Sequence, residues 1–278
     1  MVAREAKIWG GLNEHYKDAL KIYPENQILG VWLQGSQNYN LDDENSDIDT
    51  KVILTPSFKD LALNRKPVST THVRDNDEHF DAKDVRLYVE TFRKSNLNFV
   101  EILFTYYFLV NPMYEKEWKM LLENRELIAR MNPYRAIKSM GGIAKEKFHA
   151  MEHPYPSKMD LINKYGFDGK QLSHLVRVYK FLYNYIHKPE VSYKESMVPE
   201  EAEWIKELKR EPFIPLNKAR KIAKFFINEV DNLINYSMSL YPEENEDEKV
   251  MELLREFQCA VMEKSIRYEL GVINSGTN

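Results

Sequence analysis

A chain of 278 residues with 43% hydrophobic and 29% charged residues can bury one large core or two modest ones, and its composition is neither disordered nor fibrous. No run approaches the ~20 apolar residues of a membrane helix, the N-terminal MVAREAKIWGGLNEHY lacks a signal peptide's apolar centre, and a single cysteine, Cys259, excludes an internal disulfide framework. The expected setting is the cytoplasm, with no membrane partner. Net charge is −4, and residues 1–110 carry all of it, with 13 Lys+Arg against 17 Asp+Glu, whereas residues 111–278 hold 26 of each. Non-specific nucleic-acid binding rests on excess basic charge, so the balance disfavours long nucleic acid and no DNA partner is expected.

Residues 3–22 place Ile8, Leu12, Tyr16 and Leu20 at helical spacing. ILGVWLQG (28–35) is a short apolar run closed by glycine, as a buried strand would be, and SQNYNLDDENS after it is a polar loop. DIDTKVIL resumes as a strand and stops at Pro56. Asp75-Asn76-Asp77 is a turn signal between two short strand-like arms. From Asp84 the period changes: Val85, Tyr88, Val89 and Phe92 stand at i, i+3, i+4 and i+7, predicting an amphipathic helix. NFVEILFTYYFLV reads as a further apolar helix before Pro112, with Tyr106-Tyr107 in the core.

Beyond Pro112 strand signals fade. EWKMLLENRELIARM, RAIKSMGGIAKEKFHAM, GKQLSHLVRVYKFLYNYI, LNKARKIAKFFINEVDNLINYSM and EKVMELLREFQCAVMEKSIRYEL all read as helices, with Phe225-Phe226 in the core. Residues 188–201 read as a loop, and EENEDE at 243–248 as a charged turn. The expected fold is α+β: a small mixed β-sheet core with helices over residues 1–110, followed by an all-helical domain over 111–278.

Alternate residues of a strand share a face, so Asp47 and Asp49 are expected side by side, with Ile48 turned into the core. Two carboxylates this close repel unless a cation neutralises them. Mg²⁺ suits the position, because it is satisfied by one or two carboxylates, water and substrate phosphate oxygens. Gly35-Ser36 ends the preceding strand, where absent side-chain bulk and free backbone N–H groups admit a phosphate. Two-metal phosphoryl chemistry wants a third carboxylate, and EHFDAKDV offers two. Asp81, at the end of a strand-like arm beside Phe80, is preferred over Asp84, which falls in a helix's first turn and serves there as a cap. His79 shares Asp81's strand face. An isolated Asp-x-Asp is commonly a solvated strand edge; the whole combination is what points to a phosphate-and-metal site.

That combination, Leu33-Gln34-Gly35-Ser36 through Ser46-Asp47-Ile48-Asp49, resembles the signature of the DNA polymerase β-type nucleotidyltransferase superfamily, although Gln34 stands where the motif prefers an apolar residue. GSQNYNLDDENSDIDTKVI, EHFDAKDVRLYVETFRKSNLNFVEILFT and YGFDGKQLSHLVRVYKFL look like the bacterial and phage group of predicted nucleotidyltransferases related to the RNA-repair-pathway polymerase-β-like proteins. The resemblance covers roughly residues 28–186. It implies transfer of a nucleoside monophosphate from an NTP to an acceptor hydroxyl, with pyrophosphate leaving and Mg²⁺, or Mn²⁺ in its place, bound at a two-metal site. Asp47 and Asp49 would hold the metals, Asp81 would complete the set and help take the acceptor's proton, and Gly35 and Ser36 would hold the β- and γ-phosphates. The acceptor stays open between an RNA or tRNA end, a protein and a small molecule. The alternative outside the enzymes is a nucleotide-binding or regulatory protein that keeps the fold and has lost the chemistry.

Lys170, His174 and Arg177 stand at i, i+4 and i+7 on one helix face, with Asp168 as the expected N-cap. Spacing alone fits a solvated basic face; the resemblance brings the three to the nucleotide, closing its cleft. Lys138 and Lys145 are weaker versions of the same idea, and Gly141-Gly142 between them suggests close helix packing or a kink. Tyr39 is read as packing beneath its loop rather than stacking on a base. His149 and His153 are four apart, but Pro154 follows at once and no zinc site is expected.

Overall fold

The computed structural model describes residues 2–210, 214–241 and 245–272. In chain order it contains α1 (Val2–Ile22), β1 (Ile28–Gln34), β2 (Asp49–Leu54), α2 (Phe58–Ala62), β3 (Ser69–Val73), β4 (His79–Asp84), α3 (Val85–Arg93), α4 (Leu97–Val100), β5 (Phe108–Val110), α5 (Glu115–Glu123) and α6 (Arg125–Arg130). Then come α7 (Pro133–Ala150), α8 (Met159–Tyr165), α9 (Gly169–His187), α10 (Tyr193–Met197), α11 (Ala202–Lys209), α12 (Leu216–Leu240) and α13 (Glu248–Glu269). The fold is α+β: one mixed five-stranded sheet with helices in the N-terminal part, and helices alone after it.

The sheet order is β3-β4-β2-β1-β5. β1 runs antiparallel to β2 and β5, β3 runs antiparallel to β4, and β2 and β4 are parallel. One face is covered by α1, whose Ile8, Leu12 and Ala19 join Val31, Leu33, Val52, Leu54, Phe80 and Ala82 in a buried cluster. On the other, Trp32 of β1 packs on Trp118 of α5 with ring centroids 4.4 Å apart. Such two-sided burial is why β1 reads as a continuous apolar run.

The stretch expected as one apolar helix over 98–110 is a short α4, a single 3₁₀ turn and then β5. Gly30 decides the difference. With no side chain there, β5 lies so close that an added Cβ would sit 2.5 Å from the Leu109 carbonyl oxygen. Asn111 secures the strand's end by donating to the carbonyls of Glu25 (3.0 Å) and Ile28 (3.2 Å). Tyr106 and Phe225, both read as core, are exposed, while Tyr107 is half-buried and Phe226 buried. The 188–201 stretch contains the five-residue α10, started by a Ser192–Glu195 capping box. Residues 243 and 244 of the expected charged turn lie outside the described residues.

The chain forms two compact units, and neither is continuous in sequence. The first takes Met1–Asn38, Asp43–Met131 and Glu246–Asn278; the second takes Tyr39–Asp42 and Asn132–Asn245. The division does not run at residue 110, because α5, α6 and α13 all belong with the sheet. Lys264 of α13 ion-pairs Glu117 at 2.7 Å and donates to the Met113 carbonyl, and the Ser265 and Thr55 hydroxyls lie 2.8 Å apart. In the second unit α9 packs against α7, α10, α11 and α12. Gly141 lets α12 approach α7, since a Cβ there would meet Ile234 Cδ1 at 2.4 Å. Among the described residues no helix is long and apolar enough to cross a membrane.

Candidate active site

The first half of the site is a turn. β1 ends at Gln34, Gly35 takes φ +100°, and Ser36–Tyr39 form one 3₁₀ turn. Space does not demand glycine here, because an added Cβ would meet nothing nearer than Gln37 Oε1 at 3.8 Å; the left-handed backbone does. Asn38 closes the turn, its N–H donating to the Gly35 carbonyl and its side-chain amide to that of Leu33, both at 3.0 Å. Buried Gln37 donates from Nε2 to the Asp47 carbonyl at 2.7 Å, tying the turn to the acidic segment. From α1, Lys7 Nζ donates to the carbonyls of Glu44 and Ser46, both at 2.8 Å, and fixes the intervening loop.

Ile48 is buried against Gly11, where an added Cβ would come within 2.6 Å of its Cγ2, and its N–H donates to Glu78 Oε1. With Ile48 locked inward, Asp47 is exposed and Asp49 half-exposed on either side of it. Asp47 lies in the segment just before β2, so the strand begins one acidic residue later than expected. Asp49 pairs with Gln34 across β1–β2, so the acidic pair starts β2 where the Gly35-Ser36 turn leaves β1.

The parallel register of β2 and β4 pairs Lys51 with Asp81, and alternation then puts Asp49, Lys51, His79, Asp81 and Lys83 on one sheet face. His79 lies beside Asp49: its backbone N–H (3.2 Å) and its Nδ1 (2.9 Å) both reach Asp49 Oδ1. That hydrogen bond raises the His79 pKa against the opposing effect of burial. Asp81 Oδ2 accepts from Lys51 Nζ at 2.5 Å, and its Oδ1 accepts from Thr71 Oγ1 at 2.5 Å. Burial would raise the Asp81 pKa, but the Lys51 ammonium and the two hydrogen bonds hold it below the usual range. Burial also lowers the Lys51 pKa, despite Asp81 and Asp49 nearby. Phe99 of α4 receives both cations, with Lys51 Nζ 4.4 Å and Lys83 Nζ 4.2 Å from its ring centroid.

Asp84 is a cap. Its Oδ1 accepts from the Arg86 N–H at the start of α3, its carboxylate pairs with the Arg86 guanidinium, and it is buried. Lys51 was not singled out in the sequence, although it stands two residues beyond Asp49 on the same strand face. That period-two spacing was the available signal.

Asp47 and Asp49 fit magnesium, for they are accessible, flank a locked Ile48, and among the described residues Asp49 Oδ2 has no hydrogen-bond donor. Asp81 does not fit as a third ligand in this arrangement, since the Lys51 ammonium already occupies its Oδ2 as a cation. Among the described residues no three His, Cys, Asp or Glu side chains stand together as a metal cage.

In the helical unit, Asp168 caps α9 by accepting from the Lys170 N–H at 2.8 Å. Lys170 is exposed and His174 half-buried. Burial first, and then the cations Arg177, Lys170, Lys147 and Lys209, push the His174 pKa well below the ordinary range, so the ring is neutral near pH 7. Arg177 is buried with its guanidinium carbon 4.1 Å from the Tyr39 ring centroid, and Tyr39 is buried beneath it. Lys138 donates to the Tyr134 hydroxyl, and Lys145 pairs with Asp231 at 2.8 Å. The sequence matches neither a protein-family model nor a curated protein.

Proposed function

We propose that the protein is a Mg²⁺-dependent nucleotidyltransferase that moves a nucleoside monophosphate from an NTP to an acceptor hydroxyl and releases pyrophosphate. The observation that carries this reading is the tie between the Gly35-Ser36 turn and the acidic pair, made by the Gln34–Asp49 register and the Gln37–Asp47 hydrogen bond. It brings a turn opened by the left-handed, side-chain-free Gly35 to the start of the acidic strand, which suits a triphosphate on one side and its cation on the other.

In this reading the Gly35 and Ser36 backbone and the Ser36 hydroxyl hold the terminal phosphates, and Asp47 and Asp49 hold the magnesium. Bound there, magnesium would neutralise the triphosphate and the departing pyrophosphate. His79 orients Asp49 by binding Oδ1. Asp81, kept ionised by Lys51 and Thr71, lies on that same face and would take the acceptor's proton on exchanging one of those two hydrogen bonds for the acceptor hydroxyl. In-line attack needs charge neutralisation and positioning rather than covalent help from the protein.

The test is a thermal shift with each NTP, with and without Mg²⁺, followed by pyrophosphate release with RNA, protein and metabolite acceptors. Asp47→Ala and Asp49→Ala should each lower turnover at least about 100-fold while the protein stays folded. Failure of every NTP to bind in Mg²⁺ sinks the proposal. Binding without release from any acceptor class selects the silent nucleotide-binding protein instead.

A further inference from the structure

Strand alternation and register set four side chains of the acidic face in a square. Asp49 and Lys51 follow one another on β2, His79 and Asp81 follow one another on β4, and the parallel pairing puts Lys51 opposite Asp81. Asp49 is joined to His79 and Lys51 to Asp81, so the acids stand on one diagonal and the bases on the other. The Asp81 oxygen engaged from β2 is therefore the one that accepts from Lys51 Nζ, at 2.5 Å. Its other oxygen accepts from Thr71 of β3, which borders β4 on the side away from β2 and the acidic pair.

The Lys51 ammonium is a fixture of this face. Its side chain is 4% exposed, β2 lies inside the sheet between β4 and β1, and the Phe99 ring centroid stands 4.4 Å from Nζ. Among the described residues Asp81 is the one carboxylate within ion-pair distance of it. A buried ammonium keeps such a partner, because losing it leaves a charge without compensation. A magnesium ion bonded to Asp81 Oδ2 at about 2.1 Å would share that oxygen with the ammonium, and like charges so close repel. The charge of the whole face points the same way. Lys83, next on β4 after Asp81 on the same face, holds its ammonium 4.2 Å from the same Phe99 ring. Asp49 and Asp81 are thus matched by Lys51 and Lys83, and exposed Asp47 carries the negative charge left over. Three carboxylates with two divalent cations leave one net positive charge. With one divalent cation and these two ammonium groups the balance is the same.

We propose that the site binds one divalent cation, on Asp47 and Asp49, and that the Lys51 ammonium stands in the place of a second, with Asp81 as its counter-ion. Lys51 is thereby a positioning residue: it keeps Asp81 off the metal and on the face where the acceptor's proton is taken. This role rests on the proposed use of Asp47 and Asp49 as magnesium ligands, and it makes the site a one-metal site where the resemblance implies two.

The experiment counts Mn²⁺ bound to the whole protein by electron paramagnetic resonance, with the metal alone and no nucleotide. The parent should bind one Mn²⁺ per chain, and Asp47→Ala/Asp49→Ala none. Asp81→Asn, whose amide oxygen can still accept from Lys51, should keep the one ion. Its Kd should change by less than about tenfold, the smallest loss expected when a ligand's supporting partner is removed. Lys51→Met, with Asp81 released, should bind a second Mn²⁺, and spin coupling between neighbouring ions should broaden the spectrum. Circular dichroism checks that each variant is folded; if Lys51→Met does not fold, Asp81→Asn decides. Two ions on the parent, a lost ion or a larger loss of affinity in Asp81→Asn, or a folded Lys51→Met that still binds one ion would overturn the proposal. No Mn²⁺ on the parent would overturn the magnesium reading together with it, whereas two ions would overturn the one-metal count and leave that reading standing.

Discussion

Lys51 is the residue on which the candidate site's polar face turns. Its buried ammonium is held by Asp81 and by the Phe99 ring, and in return it keeps the Asp81 carboxylate ionised. Removing one member of a buried pair costs about 3–5 kcal/mol. Because Asp81 is partly solvated, Lys51→Met should cost toward or below the lower end, about 2–3 kcal/mol at pH 7. The sign of the pH dependence follows from Asp81's depressed pKa. Its contribution is fully present above the unfolded value of about 3.9 and is lost as pH falls through the lower folded value. Urea unfolding from pH 7 to pH 3 should therefore show the gap between parent and variant narrowing as the pH falls below 4. A gap independent of pH would mean that the ion pair does not govern Asp81. At this scale the sequence was legible in part. Ile48 inward, Asp84 and Asp168 as caps and Tyr39 as packing all follow from alternation and local hydrogen-bonding chemistry. The Lys51–Asp81 pair did not, because it depends on the parallel register of β2 and β4, which joins residues thirty positions apart.

Among the elements, β5 shows where a short apolar run misleads. Phe108–Val110 lies in a stretch whose apolar residues also satisfy a helical reading, and length alone does not separate the two. What selects the strand is distant: Gly30 leaves the gap into which it fits. Gly30→Ala should cost about 3 kcal/mol, because its Cβ would meet a backbone carbonyl that cannot rotate away. It should also speed hydrogen exchange at Phe108–Val110 more than elsewhere in the sheet. Gly142→Ala provides the contrast, since nothing lies within 4 Å of its Cβ on α7, and it should stabilise by about 0.5–1 kcal/mol through helix propensity. If Gly30→Ala left these amides protected, the account of β5 would be wrong. The longer helices were legible because each carries several turns of one period. Tyr106 and Phe225 were misplaced because adjacent aromatic residues on a helix or in a loop face different ways, and only one of each pair can point fully inward.

For the whole molecule, the decisive contact set is that of α13 with the sheet unit. Val250, Met251, Leu254, Phe257 and Val261 are buried, and Lys264 and Ser265 are bound to Glu117 and Thr55. A fragment of residues 1–131 therefore lacks part of its own core. It should show no cooperative thermal transition alone and should gain one when a peptide of residues 246–278 is added in trans. A cooperative melt of the fragment alone, unchanged by the peptide, would contradict the division into units. No sequence feature announced this return of the chain, since α13 looks like any amphipathic helix and its partner is chosen only by the complete fold.

That return also sets an order of events during synthesis. The sheet unit begins first and is completed last, for residues 132–245 must be translated before α13 exists. At about 5–20 residues per second, the interval from Met131 to Glu269 is about 7–28 s. Throughout it the acidic strand and the Gly35-Ser36 turn hang on a half-built core, while the helical insert, whose 39–42 segment is made early, has every residue it needs once residue 245 is added. The nascent chain is thus expected to fold from its middle outward, and to reach its candidate chemistry only as translation of the closing helix ends.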